Sequence, residues 1–329
     1  MRLGHAVVVI TGASSGIGRA TAQRFAEHGA AVVLAARRQE ALAGLAQECE
    51  VRGGQALTVA VDVTDDKAVD ELAGRAVQEF GRIDVWVNNA AVSMFAPVLD
   101  APLEDFRRVL DVNVMGYVHG ARAALRQMRA QGSGVLINVS SIVGIVAQPY
   151  TAAYSMSKSA IRSLSTSLRQ ELMIDGYRQV RVCSVLPAAI DTPIFKMAAN
   201  YTGREAAPMP PVYSPQRVAR AIVGVARLPR REVVAGPMGR ALLMQHKVAP
   251  GYTERMFGRT VDRRHLSQVR PVPESEGNLH EPMPGEELAE VSGGWGGRRR
   301  TAQRMVAMGA AGVAAGLVVR RWRHRAAAT

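Results

Sequence analysis

Tyr154 and Lys158 stand four residues apart, in a stretch whose apolar spacing predicts a helix over 152–175. Residues at that separation share one helix face. The pairing has a chemical use. A tyrosine phenol ordinarily loses its proton near pH ~10. A neighbouring ammonium stabilises the phenolate and draws that value toward working pH. Such a phenol can give or take a proton at a carbonyl or alcohol oxygen. Ser141, thirteen residues earlier at the end of an expected strand, can hold the same oxygen through its hydroxyl. Taken alone, a Tyr-x-x-x-Lys pair is commonplace and carries no assignment.

A second constellation lies near the N-terminus. An apolar run at 6–10 leads straight into Thr11-Gly12-Ala13-Ser14-Ser15-Gly16-Ile17-Gly18, and a helical pattern begins at once. A strand–turn–helix of this kind aims backbone N–H groups and a helix N-terminus at a phosphate. Gly12 permits the tight turn, Gly16 lets a pyrophosphate approach the backbone, and Gly18 lets the helix pack close to the sheet. Ser14, Ser15 and Ile17 complete the cradle. The reading is dinucleotide binding.

About twenty residues further on, such folds place the group that reads the adenosine ribose. An acid there favours NAD, and an arginine accommodates the 2′-phosphate of NADP. Here the second strand ends Leu34-Ala35-Ala36-Arg37-Arg38, with no acid. Arg37 is the expected phosphate clamp, because a guanidinium pairs bidentately with phosphate, and Arg38 assists it. A solvated basic strand end is the bland alternative. Asp62 and Val63, after the third strand, sit where an adenine contact is expected. An ordinary surface aspartate capping the next helix fits Asp62 equally well.

The elements that must position these groups alternate along the chain. Apolar runs at 31–35, 56–61, 83–87, 135–139, 180–186 and 232–235 read as strands. Helical stretches lie near 17–28, 39–51, 65–80, 103–129, 152–175 and 215–227. With the run at 6–10 this predicts an α/β fold of the Rossmann type, a doubly wound sheet of about seven parallel strands with helices on both faces. The run at 6–10 is too short for a signal-peptide core and suits a strand buried on both faces. The chain has 329 residues and is 48% hydrophobic, which excludes a mostly disordered chain and a polytopic membrane protein. Its two cysteines, Cys49 and Cys183, exclude a disulfide scaffold and a cysteine-built zinc site. His119, His246 and His265 show no metal spacing, so no metal is expected, and these histidines read as structural or solvated.

Together these residues resemble the short-chain dehydrogenase/reductase family, in its single-domain branch. The glycine turn, Asn88-Asn89-Ala90 after the fourth strand, Asn113 in the following helix, Ser140-Ser141, Tyr154-Ser155-Met156-Ser157-Lys158, Pro187 and Thr192 come in the family order across residues 5–236. The resemblance implies hydride transfer between a nicotinamide and a carbonyl or alcohol carbon. It makes Tyr154 the acid/base. Lys158 would lower its pKa and bind the nicotinamide ribose, Ser141 would polarise the substrate oxygen, and Asn113 would hold a water relaying protons from Lys158. It adds Asn89, Ala90, Pro187, Ile190 and Thr192 to the cofactor contacts, the last two at the carboxamide. It also implies homo-oligomers, dimers or tetramers, paired through the helices near 103–129 and 152–175. Two departures stand out: Ala91 and Ala188 replace glycines usual in the family, and each adds a methyl beside the cofactor.

The domain organisation follows from composition. Residues 1–238 form the Rossmann-type domain, with a substrate loop at 190–214, and two short helices are expected over 239–270. The loop carries Phe195 and Met197 among further apolar side chains. It suits an apolar substrate, or simply packs onto the core. Residues 271–297 hold four prolines, six glycines and six glutamates without Lys or Arg, and read as a linker. The tail at 298–329 holds eight arginines and no acid. Its uncharged run at 305–319 is short for a bilayer core of about 30 Å. A membrane anchor and a disordered or protein-docked tail both remain open, and a nucleic-acid arm is disfavoured because the run at 305–319 lacks interleaved aromatic residues.

The expected function is that of an NADP(H)-dependent oxidoreductase, with NAD(H) second. It acts on a carbonyl or secondary alcohol of a lipid-, steroid- or retinoid-like substrate. A 3-oxoacyl thioester reductase and a non-catalytic NADP-binding regulator or scaffold are the alternatives. The expected location is cytoplasmic, with the tail as a candidate membrane contact.

Overall fold

The computed structural model describes residues 1–296; the tail at 298–329, with its run at 305–319, lies outside them. The chain begins β1 (Val7–Thr11), α1 (Gly16–Ala26), β2 (Ala31–Ala36), α2 (Gln39–Val51), β3 (Gln55–Ala60), α3 (Asp66–Phe80), β4 (Val85–Asn88) and the short β5 (Met94–Phe95). It continues through α4 (Leu103–Leu110), a π-helical turn at Asp111–Met115, α5 (Gly116–Ala130), β6 (Gly134–Val139), α6 (Ala152–Ile174) and β7 (Val180–Pro187). Next come α7 (Ile194–Met197), β8 (Ala199–Asn200), β9 (Arg204–Ala206), α8 (Pro215–Arg227), β10 (Glu232–Ala235), α9 (Pro237–Val248), α10 (Pro250–Arg264) and β11 (Leu266–Pro271).

Seven strands form one parallel sheet in the order β10-β7-β6-β4-β1-β2-β3. The order reverses between β1 and β4. In such sheets that reversal opens a crevice beyond the strands' carboxyl ends. Side chains alternate faces along a strand. Val7 and Val9 therefore join Trp86, Met128 and Leu136 in one core. Val8 and Ile10 join Phe25, Leu42 and Ile222 in the other. Because both faces are covered, β1 reads as an unbroken apolar run.

Two stretches differ from the sequence expectation. The helix foreseen over 103–129 is interrupted by the π-helical turn around Asn113. The stretch foreseen as a linker holds a 3₁₀ turn at Glu286–Leu288, but it folds back over the carboxyl ends of the sheet. Leu279 and Leu288 are buried there. Composition excluded a helix or central strand, but it carried no sign that a few spaced leucines would find a groove.

Candidate active site

One cleft of about 340 Å³ runs along the carboxyl ends of the strands. Its walls include Gly12, Ser14, Ser15, Gly16, Ile17, Arg37, Arg38, Asp62, Val63, Asn89 and Ala90 toward one end. Toward the other they include Ser141, Tyr154, Lys158, Pro187, Ile190, Thr192, Phe195 and Met197. Gly18 and Asn113, also singled out in the sequence, stand behind this wall.

The glycine turn has the shape a phosphate cradle needs. Gly12 and Gly16 have φ of +65° and +53°, which L side chains rarely adopt. A Cβ on Gly12 would lie 2.6 Å from the Cα of Ala90, and one on Gly18 2.1 Å from the carbonyl oxygen of Gly12. Asn89 ties the turn to β4, donating from Nδ2 to the carbonyls of Thr11 (3.1 Å) and Gly12 (3.0 Å). The closeness of β1, α1 and β4 leaves no room for a side chain in the turn, and Gly12 and Gly16 line the cleft. Bare backbone at the start of a helix is what a dinucleotide's phosphates require.

Arg37 and Arg38 follow the end of β2 and face acceptors of the returning C-terminal segment. Arg37 donates to the main-chain carbonyls of Asn278 (2.6 Å), Leu279 (3.3 Å) and His280 (2.8 Å). Arg38 donates to the carbonyl of Leu288 (2.8 Å) and to Ser14 Oγ (3.4 Å). Asp62 pairs with Arg108 at 2.7 Å and accepts from the backbone N–H and hydroxyl of Thr64. Burial pushes its carboxyl up, but those contacts outweigh burial and hold it below the usual range. The N-terminus of α3 is capped by Asp65, so Asp62 is not the helix cap.

The loop after β6 is fastened to α6, which brings Ser141 to Tyr154. Ser140 Oγ donates to the carbonyl of Lys158 (2.7 Å), and Ser159 Oγ to that of Gly144 (2.9 Å). Gly144 must be glycine for this approach, since a Cβ would lie 2.7 Å from the Lys158 backbone. Lys158 is buried, with Nζ donating to the Val139 carbonyl (3.1 Å) and the Tyr117 hydroxyl (3.4 Å), and 5.4 Å from the centre of the Tyr154 ring. Burial draws the Lys158 ammonium down to about 7. Burial also pushes the Tyr154 phenol up to about 12, against a hydrogen bond with Ser141 that lowers it.

Asn113 acts as a brace. Its Nδ2 donates to the Val92 carbonyl (2.9 Å) and Ser157 Oγ (3.1 Å), and its Oδ1 accepts from the Val92 N–H (2.9 Å). The π-helical turn and the loop after β4 are thereby locked to α6.

The same cleft is also lined by Phe95, Phe195, Met209, Leu242, Phe257 and His265. His265 packs edge-on against Phe95 (5.1 Å) and Phe195 (5.6 Å). The sequence reading treated His265 as structural or solvated; it is buried and lines the cleft. Tyr117, Arg108 and Asp191 also went unforeseen. Asp191, beside Thr192, accepts from Ser292 Oγ (2.6 Å) and the Trp295 N–H (2.7 Å).

Comparison with known proteins agrees with the geometry. A family profile described as short chain dehydrogenase matches residues 6–201. The uncharacterized oxidoreductase YxnA of Bacillus subtilis is 36% identical over 296 residues, covering 89% of this chain and 83% of that protein. A short-chain dehydrogenase/reductase from Burkholderia phymatum, solved with NAD, is 25% identical with a TM-score of 0.69. It covers 82% of this chain and 99% of that one. An alcohol dehydrogenase from Thermococcus sibiricus, solved with 5-hydroxy-NADP, is 27% identical with a TM-score of 0.59, covering 70% and 95%.

Proposed function

Since the chain belongs to the short-chain dehydrogenase family, we propose that it exchanges hydride between NADP(H) and a carbonyl or secondary alcohol of an apolar substrate. The single observation carrying this reading is one cleft with Ser141, Tyr154 and Lys158 on its wall and Arg37 at its far end. The positive-φ glycine cradle between them supports binding of the pyrophosphate. A nicotinamide dinucleotide, when bound, supplies or takes the hydride at the substrate carbon.

The protein's own residues handle the oxygen and the proton. Tyr154 donates its phenolic proton to the carbonyl oxygen in reduction and recovers it in oxidation. Ser141 holds that oxygen and, through its hydrogen bond to the phenol, favours the phenolate. Lys158, when protonated, does the same by charge. Because Oδ1 and Nδ2 of Asn113 already serve Val92 and Ser157, a water relay at Asn113 is assigned to its main chain. The apolar and aromatic wall around Phe95, Phe195 and Phe257 supports a lipid-, steroid- or retinoid-like substrate.

The test is NADPH oxidation by the full chain over a panel of apolar ketones, aldehydes and 3-oxoacyl thioesters, beside Tyr154→Phe. Turnover on an apolar ketone that falls about 10²–10⁴-fold in the variant, with NADPH binding unchanged, is the expected result. Equal turnover in the variant removes Tyr154 from this role.

A further inference from the structure

The C-terminal segment runs along the cleft assigned above to the cofactor. From one end of the cleft to the other it meets Arg37 with the carbonyls of residues 278–280, Arg38 with that of Leu288, and Gly16 with that of Glu290. The Gly16 N–H donates to the Glu290 carbonyl at 3.0 Å, and Asn278, Pro282 and Met283 line the cleft without filling it. The Arg37 contacts take three of five guanidinium N–H bonds.

We propose that residues 278–290 form a strap that sets which nicotinamide dinucleotide the site takes, by competing with the NADP 2′-phosphate for Arg37. The proposal rests on Arg37 being the phosphate clamp. The end of β2 has no acid to accept from a ribose 2′-hydroxyl. With the strap docked, three carbonyl oxygens converge on that place. They welcome a hydroxyl donor and oppose a phosphate dianion. Four glutamates within 278–290 add negative charge to the same stretch. With the strap released, Arg37 and Arg38 face the cleft free for a phosphate. The docked form therefore discriminates against NADP(H), and the released form favours it.

The strap is fitted, not merely adjacent. Gly277 has φ +56°, and a Cβ there would lie 2.3 Å from the Met197 carbonyl oxygen. A Cβ on Gly293 would lie 2.3 Å from the Thr192 carbonyl oxygen. Gly277 opens the strap and Leu279 is buried within it, so the full-length Gly277→Val/Leu279→Asp variant lifts it without touching Thr192, Tyr154, Lys158 or the glycine turn.

Dissociation constants of NADPH and NADH are measured for the parent and this variant, each with and without Arg37→Ala. The expected result is NADPH affinity at least about tenfold higher in the strap variant, a smaller gain for NADH, and an Arg37→Ala loss of NADPH affinity much larger in the strap variant than in the parent. Equal gains for both cofactors, no gain, or weaker binding overturn the proposal. If Arg37→Ala costs NADPH equally in both backgrounds, the strap does not compete and the clamp stands. If it costs nothing in either, the clamp itself falls. A second measurement needs no variant: hydrogen exchange of amides 278–295 in the parent rises on saturation with NADPH. Increased protection of those amides makes the segment a lid over the bound cofactor and overturns the proposal.

Discussion

At the scale of single residues, burial acts on Tyr154 and Lys158 with opposite sign. Each is pushed toward its neutral form, the phenol up to about 12 and the ammonium down to about 7. For the ligand-free protein this has a consequence in pH. From about pH 7 up to the ordinary lysine range, the folded chain holds fewer protons at Lys158 than the unfolded chain. Stability therefore rises with pH across that window. Tyr154 acts only above about pH 10, where the folded chain holds more protons and stability falls again. The melting temperature of the ligand-free protein is expected to climb between pH 7 and 9.5, and Lys158→Met to flatten the climb; an unchanged slope in the variant would place its origin elsewhere. Tyr154→Phe removes the transferable proton and keeps the ring, so it should spare folding and cofactor binding while turnover falls. The pair itself was legible in the sequence because four-residue spacing on a helix fixes a shared face. Their common burial was not, since it depends on Tyr117 and Val139 arriving from other elements.

At the scale of elements, the π-helical turn between α4 and α5 is the informative departure. An extra residue in one turn re-aims a side chain within a continuous helix. Here the Asn113 amide closes on both backbone groups of Val92. Asn113→Ala would leave that N–H and carbonyl buried without partners, a cost of about 1–3 kcal/mol. Chemical denaturation reads that loss, and kcat should fall with it because the brace also reaches Ser157 on α6. Apolar periodicity predicts the helix but not the turn, because it is blind to one inserted residue. The strap is the second such element. Each buried leucine, Leu279 and Leu288, contributes roughly 1.5–3 kcal/mol, and the main-chain carbonyls taken by Arg37, Arg38 and Gly16 add to the docking of a segment with almost no regular structure.

At the scale of the whole molecule, the sheet order places three distant stretches of sequence at one edge: the glycine turn, the loop after β6 and the residues after β7. The outer face of the long helices remains apolar in places. Leu103, Met115, Met156 and Met173 are exposed on α4, the π-helical turn and α6. That supports the homo-oligomer implied by the family resemblance. Light scattering of the full chain should give a dimer or tetramer, and Met156→Glu with Met173→Glu should shift it toward monomer; a monomeric parent would refute the pairing. Among the described residues, no helix is long and apolar enough to cross a membrane.

The sequence by itself determined the alternating strands and helices, the glycine cradle and the Ser141, Tyr154, Lys158 set. Each of these rests on short-range rules: side-chain period, backbone freedom at glycine, and spacing on one helix face. Tertiary structure alone decided three other things. It set how far burial moves Tyr154 and Lys158, it turned Asn113 into a brace on Val92, and it brought carbonyls from residues 278–280 to Arg37 across more than two hundred positions. These depend on contacts between segments far apart in the chain. A main-chain carbonyl is present at every residue, so no residue type could mark the ones that would reach Arg37.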